Sequence, residues 1–395
     1  MKLICSFDVN FYFKGKHSSI IQATLRIGVA QLLFLDTPPF ANHDTVQVLK
    51  MNHRLSKSSY PVPDQMVRFV NGVLRKVSQP LDTADDANDS TSAHVLYGHK
   101  LLENTSPNDN IAPWLIQQWG KDWGCSRTKL IMEEMMPASH NDVTRIDVTS
   151  KFSLMSLMES KVSHLKSSSS PGSLLEKMRM DFGEDCKLLP QGSLRIGSSL
   201  SGDVSKWPGY EDGTWWIQDA SSSLPALVLA QALAKSTAGD LNALHVVDMC
   251  SAPGGKASQL LSAGFGRVTA IEASERRSRR LIENINRLQF QYHCEVVVGE
   301  GQSYVPAEND RIEGILLDVP CSATGTGARR PDVLRRSSDL SELLQIQELL
   351  ANHCVDHILS AGGILVYATC SILKVSATYF PLTDALFINN PHFTA

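Results

Sequence analysis

The stretch Leu244-His245-Val246-Val247-Asp248-Met249-Cys250-Ser251-Ala252-Pro253-Gly254-Gly255-Lys256 decides how the second half of the chain is read. The strand-like run Leu244–Met249 ends at a Pro-Gly-Gly turn, which feeds the helix-like Lys256–Ser262. A glycine turn leading into a helix lets backbone N–H groups approach a ligand closely. The turn is neither GxGxxG nor a P-loop, which weakens the dinucleotide and nucleoside-triphosphate readings. Taken alone, it is also compatible with a plain tight turn.

Working outward, four more short strand-like runs follow: Arg267–Glu272, Cys294–Val298, Gly314–Leu317 and Ile364–Tyr367. Arg276–Leu288 and Asp339–Leu359 are helix-like segments among them. Strand and helix in alternation predict an α/β domain with a doubly wound parallel sheet. Such sheets take their ligands at the carboxyl ends of the strands, near the topological switch point.

The residues after each strand are therefore the candidates for chemistry. Glu272 stands 18 positions beyond Gly254, a spacing that suits a carboxylate taking ribose hydroxyls. Glu300 follows the third strand, where it could accept from an adenine amino group. Asp318-Val319-Pro320-Cys321-Ser322 follows the fourth strand and Tyr367-Ala368-Thr369-Cys370-Ser371 the fifth. One carboxylate and two thiols would converge on the substrate side of the switch point. A single buried cysteine is usually structural. Two at matching strand ends, one of them three residues after an Asp, point to chemistry.

Composition sets the limits. Hydrophobic residues make up 43% and charged residues 20%, ordinary for a globular chain. The net charge of −4 does not advertise a nucleic-acid binder. Local clusters remain at Arg276, Arg277, Arg279 and Arg280 and at Arg329, Arg330, Arg335 and Arg336, to be read as phosphate contacts or as solvated faces. No apolar run reaches the roughly 18–20 residues that span a bilayer, so no membrane partner is expected. Met1 to Lys16 shows no clear cleavage site. The expected location is cytoplasmic, with a plastid or mitochondrion as the alternative. The eight cysteines contain no CxxC pair, which disfavours a zinc ribbon or thioredoxin-like site.

Residues 1–78 read as helical, 79–110 as a polar linker, and 111–216 as a small α+β region containing a helix over Ala112–Met136 and a strand over Thr214–Ile217. The catalytic domain then runs over 217–395. After the fifth strand only Thr383–Asn389 is patterned, as helix, so the sheet is expected to end in an exposed edge.

Together these motifs resemble the RNA 5-methylcytosine methyltransferases, and among them the bacterial-type RsmB/Sun enzymes of small-subunit ribosomal RNA. Cys250–Lys256 (CSAPGGK) matches that family's cofactor motif, Asp318–Ser322 its first cysteine motif, and Thr369–Ser371 its second. Leu25–Leu33 and Phe69–Arg75 resemble its NusB-like helical domain, and Gln218–Ser222 looks like the strand before the cofactor motif. By the same likeness both ends would be incomplete: the first NusB-like helices would be missing, and so would the closing strands of the sheet. Leu373–Ser376 also stands where the family has Pro-Glu-Glu-Asn, and Glu300 where it has Asp.

The resemblance implies a Rossmann-like S-adenosylmethionine-dependent methyltransferase domain behind an all-α NusB-like RNA-binding domain. Its partner would be RNA, ribosomal RNA in particular. The cofactor would be held by Cys250, Ser251, Ala252, Pro253, Gly254, Gly255, Lys256, Glu272, Glu300 and Asp318. Cys370 would attack C6 of cytosine, Asp318 would hold the base, Cys321 would help remove the C5 proton, and Lys256 would stabilise charge. Arg329 and Arg330 would hold phosphates. No metal is expected, because the implied methyl donor carries its own sulfonium charge. Two other readings stand beside this one. Cytosine C5 methylation of DNA would use Cys321 as nucleophile and leave Cys370 without a task. A truncated, inactive relative would act as an RNA-binding or assembly protein.

Overall fold

The computed structural model describes residues 110–135, 146–151, 180–183, 186–197, 203–236, 240–336, 340–378 and 386–389, together with positions 68, 70 and 72. The expected NusB-like helices, the linker and the chain's two ends otherwise lie outside the described residues. The chain divides into two compact units, 1–113 and 114–395, and the second carries the elements below.

That unit opens with helix α1 (Pro113–Glu134), interrupted at Gly124 by a non-helical φ of 78°. A small antiparallel sheet follows, built from β1 (Ile146–Ser150), β2 (Lys187–Leu188), β3 (Leu194–Ile196) and β4 (Trp215–Ile217) in the order β2-β3-β1-β4. Its core is aromatic: Trp215 is flanked by Phe182, Trp207 and Tyr210 at centroid distances of 5.5, 6.2 and 5.6 Å.

Helix α2 (Ala220–Ser236) leads into the main sheet. Its strands are β5 (His245–Met249), β6 (Arg267–Glu272), β7 (Cys294–Val298), β8 (Gly314–Asp318), β9 (Ile364–Thr369) and β10 (Leu386–Asn389). All pairings are parallel, in the order β10-β9-β8-β5-β6-β7. Helices α3 (Gly255–Ser262), α4 (Glu275–Arg287), α5 (Leu340–His353) and the short α6 (Val375–Thr378) complete the unit.

The inner strands are almost continuously apolar because both faces are covered, as parallel sheets require. One face packs Val246, Leu316 and Val366 against Leu229 and Leu233 of α2, Leu260 of α3 and Leu281 of α4. The other face packs Val247, Met249, Leu317 and Tyr367 against Leu350 and Ala351 of α5. The period-2 alternation along each strand assigns its residues to these two layers. After β7 the chain returns across the sheet to form β8 beside β5. The switch point therefore lies between β5 and β8.

Four expectations need correction. Leu386–Asn389 is a strand rather than part of a helix; it pairs with β9 from Leu386↔Val366 to Asn389↔Thr369. A short apolar run carries too little periodicity to separate the two states, and pairing with β9 decides it. The fifth strand is consequently paired on both sides, by β8 and β10, and the edge expected at that end of the sheet passes to β10. Gln218–Ser222 is not a strand either. β4 ends at Ile217, and α2 starts at Ala220 with Asp147 of β1 accepting the Ala220 N–H at 3.1 Å. Finally, the helix expected over Asp339–Leu359 ends at His353 and gives way to a π-helical turn, Cys354–Ile358.

Candidate active site

The turn after β5 is held in an unusual backbone shape. Cys250 has a φ of 64° and Gly254 a φ of 100°. A Cβ on Gly254 would stand 2.7 Å from Cδ1 of Leu281, so glycine is required there by both dihedral and space. Gly255 is different: its φ is negative-side, and a Cβ would meet the Gln218 side chain at an ordinary 3.7 Å.

The turn is braced from β6 and α4. Glu272 is 2% exposed and accepts the N–H groups of Ala252 at 3.2 Å and Ser274 at 3.0 Å. Arg277 lies 3.3 Å from the same carboxylate and donates to the Ala252 carbonyl at 2.7 Å. Asn284 donates to the Pro253 carbonyl at 2.8 Å. Of the first arginine cluster, Arg277 thus serves the turn and Arg279 pairs with Glu275 on α4. Glu300 is exposed and begins a 3-10 turn, beside Glu272 through the Gly299 N–H on the Glu272 carbonyl at 3.1 Å.

Beneath the turn lies Asp248, which is fully buried. Its Oδ2 accepts from Ser251 Oγ at 2.7 Å, while Oδ1 has no partner. Burial pushes its carboxyl up to about 7, with nearby Asp318 acting in the same direction. Sequence reasoning assigned Asp248 no role. The signal was its place one residue before the end of β5, among Val246, Val247 and Met249.

Across the switch point, Lys256 at the start of α3 meets Asp318 at the end of β8, Nζ to Oδ2 at 2.7 Å. Burial works against the Lys256 charge, but attraction to Asp318 prevails and its pKa is raised. Cys321 and Cys370 come from adjacent strand ends, with their sulfurs 3.2 Å apart. The hydrogen bond from Cys370, helped by one from Thr369, pushes Cys321 down to about 7, and the same contact pushes Cys370 up. Two thiols in contact share one proton, so the first ionisation is easy and the second is hard. Burial instead pushes Cys250, Cys294 and Cys354 up to about 12, which leaves them unreactive.

The two cysteine loops are stapled together. Gly325 N–H donates to the Cys370 carbonyl at 2.9 Å. Ile372 N–H donates to Thr324 Oγ1 at 3.1 Å, and Ser322 Oγ lies 2.9 Å from Ser371 Oγ. Helix α1 buttresses them: Trp123 donates to the Ile372 carbonyl at 2.9 Å, and Asp122 accepts the Lys374 N–H at 3.0 Å.

The arginines beyond Cys321 part company. Arg329 is committed within the fold, 2.7 Å from Asp219 and 3.6 Å from Asp147. Asp147 is wholly buried and also takes Arg195 through two bonds of 2.9 and 3.1 Å. Arg329, which the resemblance implied would hold phosphate, thus shares its guanidinium between two carboxylates of the fold while its side chain stays 37% exposed. Arg330 is exposed beside it. Among the described residues no group of three or more His, Cys, Asp or Glu side chains could hold a metal, and no helix is long and apolar enough to cross a membrane.

Parts of this chain are similar to known proteins. Ribosomal RNA small subunit methyltransferase B of Proteus mirabilis is 41% identical over 177 residues, covering 43% of this chain and 39% of the relative. The chain spans about two fifths of the length of the curated relatives it matches. Among solved structures, a methyltransferase homologue from Pyrococcus horikoshii superposes with a TM-score of 0.51 at 23% identity, over 70% of this chain and 78% of that one. NSun6 from the same organism, solved with SFG, gives a TM-score of 0.51 at 17% identity, over 67% and 84%. At such identities the two structures speak for the Rossmann-like methyltransferase fold. Residues 239–379 match the family described as 16S rRNA methyltransferase RsmB/F, and it is this segment that is similar to that family.

Proposed function

We propose that this chain methylates C5 of a cytosine in RNA, ribosomal RNA first, using S-adenosylmethionine and a covalent bond from Cys370 to the base. The observation that carries the reading is the pair of thiols 3.2 Å apart at the ends of β8 and β9, beside the Lys256–Asp318 pair. The match of residues 239–379 to the 16S rRNA methyltransferase RsmB/F family supports the RNA substrate and the methyl donor.

The turn is suited to a cationic donor. Asp248 offers a buried acceptor without a partner, and Glu272 and Asp318 add carboxylates around it. Cys250–Lys256 and Glu272 would hold the donor, with Glu300 at the outer end. Bound there, S-adenosylmethionine supplies an electrophilic methyl group.

The chain's own residues do the rest. Cytosine C5 is a weak nucleophile until a thiolate adds to C6 and turns the ring into an enamine. Cys370 forms that C–S bond after passing its shared proton to Cys321. Asp318, fixed by Lys256, hydrogen-bonds the base edge and keeps C5 in line. Cys321 gives that proton up to solvent while the adduct stands, so after methyl transfer its thiolate takes the C5 proton, the electrons return to the ring, and Cys370 leaves C6 as a thiolate. A base must leave its stack to reach such a pocket, which favours single-stranded or looped RNA. The cytoplasm, or alternatively a plastid or mitochondrion, is the proposed site of action.

The test is a denaturing gel with labelled RNA and S-adenosylmethionine. Cys370→Ala should give neither methylated cytosine nor a protein–RNA adduct. Cys321→Ala should transfer the methyl group and then stall as an adduct that survives denaturation. The two changes are alike in size, so damage to folding alone does not give opposite outcomes. An adduct formed by Cys370→Ala would sink the assignment.

A further inference from the structure

The two sulfurs meet although 49 positions separate them, so something must set the relative position of their loops. The backbone bond from Gly325 to the Cys370 carbonyl acts at one point only. A second point lies at Thr324, three residues after Cys321. Thr324 is fully buried, and its hydroxyl accepts the N–H of Ile372, two residues after Cys370, at 3.1 Å. The same oxygen lies 3.2 Å from Ser322 Oγ and 3.5 Å from Ser371 Oγ, and Ser371 is also fully buried. Ser371 Oγ in turn accepts the Leu373 N–H at 3.2 Å. One hydroxyl thus ties together both residues that follow the cysteines and the backbone beyond the second.

The local backbone shows how far this point is constrained. Ala323, between Cys321 and Thr324, is held at a φ of 55°, a left-handed shape that a non-glycine residue adopts at a cost. Ile372 and Leu373 are buried, so their N–H groups have no water to turn to if the hydroxyls are removed.

We propose that Thr324 is a positioning residue whose hydroxyl sets the contact between the Cys321 and Cys370 sulfurs. The inference deepens the reading of this site as a two-thiol methyltransferase centre. Thr324 does not touch the base in this scheme; it acts through the loop geometry.

Thr324→Val keeps the shape and removes the hydroxyl, while Thr324→Ser keeps the hydroxyl. The first readout needs no RNA: the pH dependence of Cys321 alkylation by iodoacetamide, followed by peptide mass spectrometry on the full chain. In the native protein its midpoint is expected at about 7. In Thr324→Val it should move upward as the Cys370 sulfur draws away, and in Thr324→Ser it should return. The second readout is turnover of a cytosine-containing RNA oligonucleotide. Misplacement by an ångström lowers kcat by roughly tenfold to a hundredfold, so Thr324→Val should lose kcat on that scale with KM unchanged, and Thr324→Ser should recover most of it.

A Thr324→Val protein that melts earlier but keeps the native alkylation midpoint would overturn the inference, because the hydroxyl would then serve stability alone. If neither the native protein nor the variants modify RNA, the methyltransferase reading fails, yet the alkylation midpoints still decide the role of Thr324.

Discussion

Replacing Asp248 by Asn tests the electrostatics under the cofactor turn. In the folded protein burial pushes this carboxyl up to about 7 from an ordinary 3.8, and Asp318 adds to the rise against bonds from Ser251 and Ala257 and the charge of Lys256. Between those values the folded chain holds a proton that the unfolded chain has lost. The unfolded state then binds fewer protons, so stability falls as pH rises from about 4 to about 7 and levels off above. From pH 5 to pH 8 the folded-state titration spans about 2 units, which at 1.36 kcal/mol per unit is about 3 kcal/mol. Asn cannot ionise and escapes that loss, though its buried amide lacks one partner, a cost of about 1–3 kcal/mol. The stability difference between variant and native protein should therefore shift in the variant's favour by about 3 kcal/mol between pH 5 and pH 8. Urea unfolding at both pH values measures it, with unchanged slopes confirming that the same surface is exposed. A difference that stays constant with pH would refute the burial argument. Methyl-donor binding should weaken in the variant, since the unpaired acceptor facing the turn would be altered.

Three further outcomes are expected. Gly254→Ala should cost about 1–2 kcal/mol from its left-handed backbone, whereas Gly255→Ala should be near neutral in thermal melts; equal losses would contradict the local geometry. Arg330→Gln should flatten the salt dependence of RNA binding by roughly 0.7 in log–log slope, the value for one phosphate contact on a single strand, while Arg329→Gln should leave that slope unchanged; filter binding from low to moderate salt separates them. Asp147→Asn should destabilise by about 3 kcal/mol or more, because it leaves the Arg195 charge without its buried partner; a melting temperature within a degree of native would show that the network around Asp147 contributes little.

Much of the main-sheet domain is legible in the sequence because parallel strands buried on both faces must be short, apolar and regularly spaced by helices. That regularity places Gly254, Glu272, Asp318, Cys321 and Cys370 at strand ends, where this fold keeps its ligands. Ala112–Met136 is legible as a helix for a similar reason, since its tryptophans and leucine recur at helical spacing. The same periodicity fails at Leu386–Asn389, where three apolar residues fit a helix as well as a strand, and at Ala220–Ser236, where serines and Pro225 mask a helix whose first N–H is accepted by Asp147.

What only the tertiary structure decided are the pairings between distant residues. Sequence alone brings two thiols to one end of a sheet; the register of β8 on β9 and the Thr324 staple make them a pair 3.2 Å apart that shares a proton. Sequence presents Arg329 and Arg330 as equivalent cations; both are exposed, and the fold pairs Arg329 with Asp219 and Asp147. Strand order and side-chain partners depend on contacts across tens or hundreds of positions, whereas periodicity and turn chemistry act over a few. The elements and the strand-end motifs could therefore be read along the chain, but the charge state of each group could not, because it is set by burial and by neighbours that folding supplies.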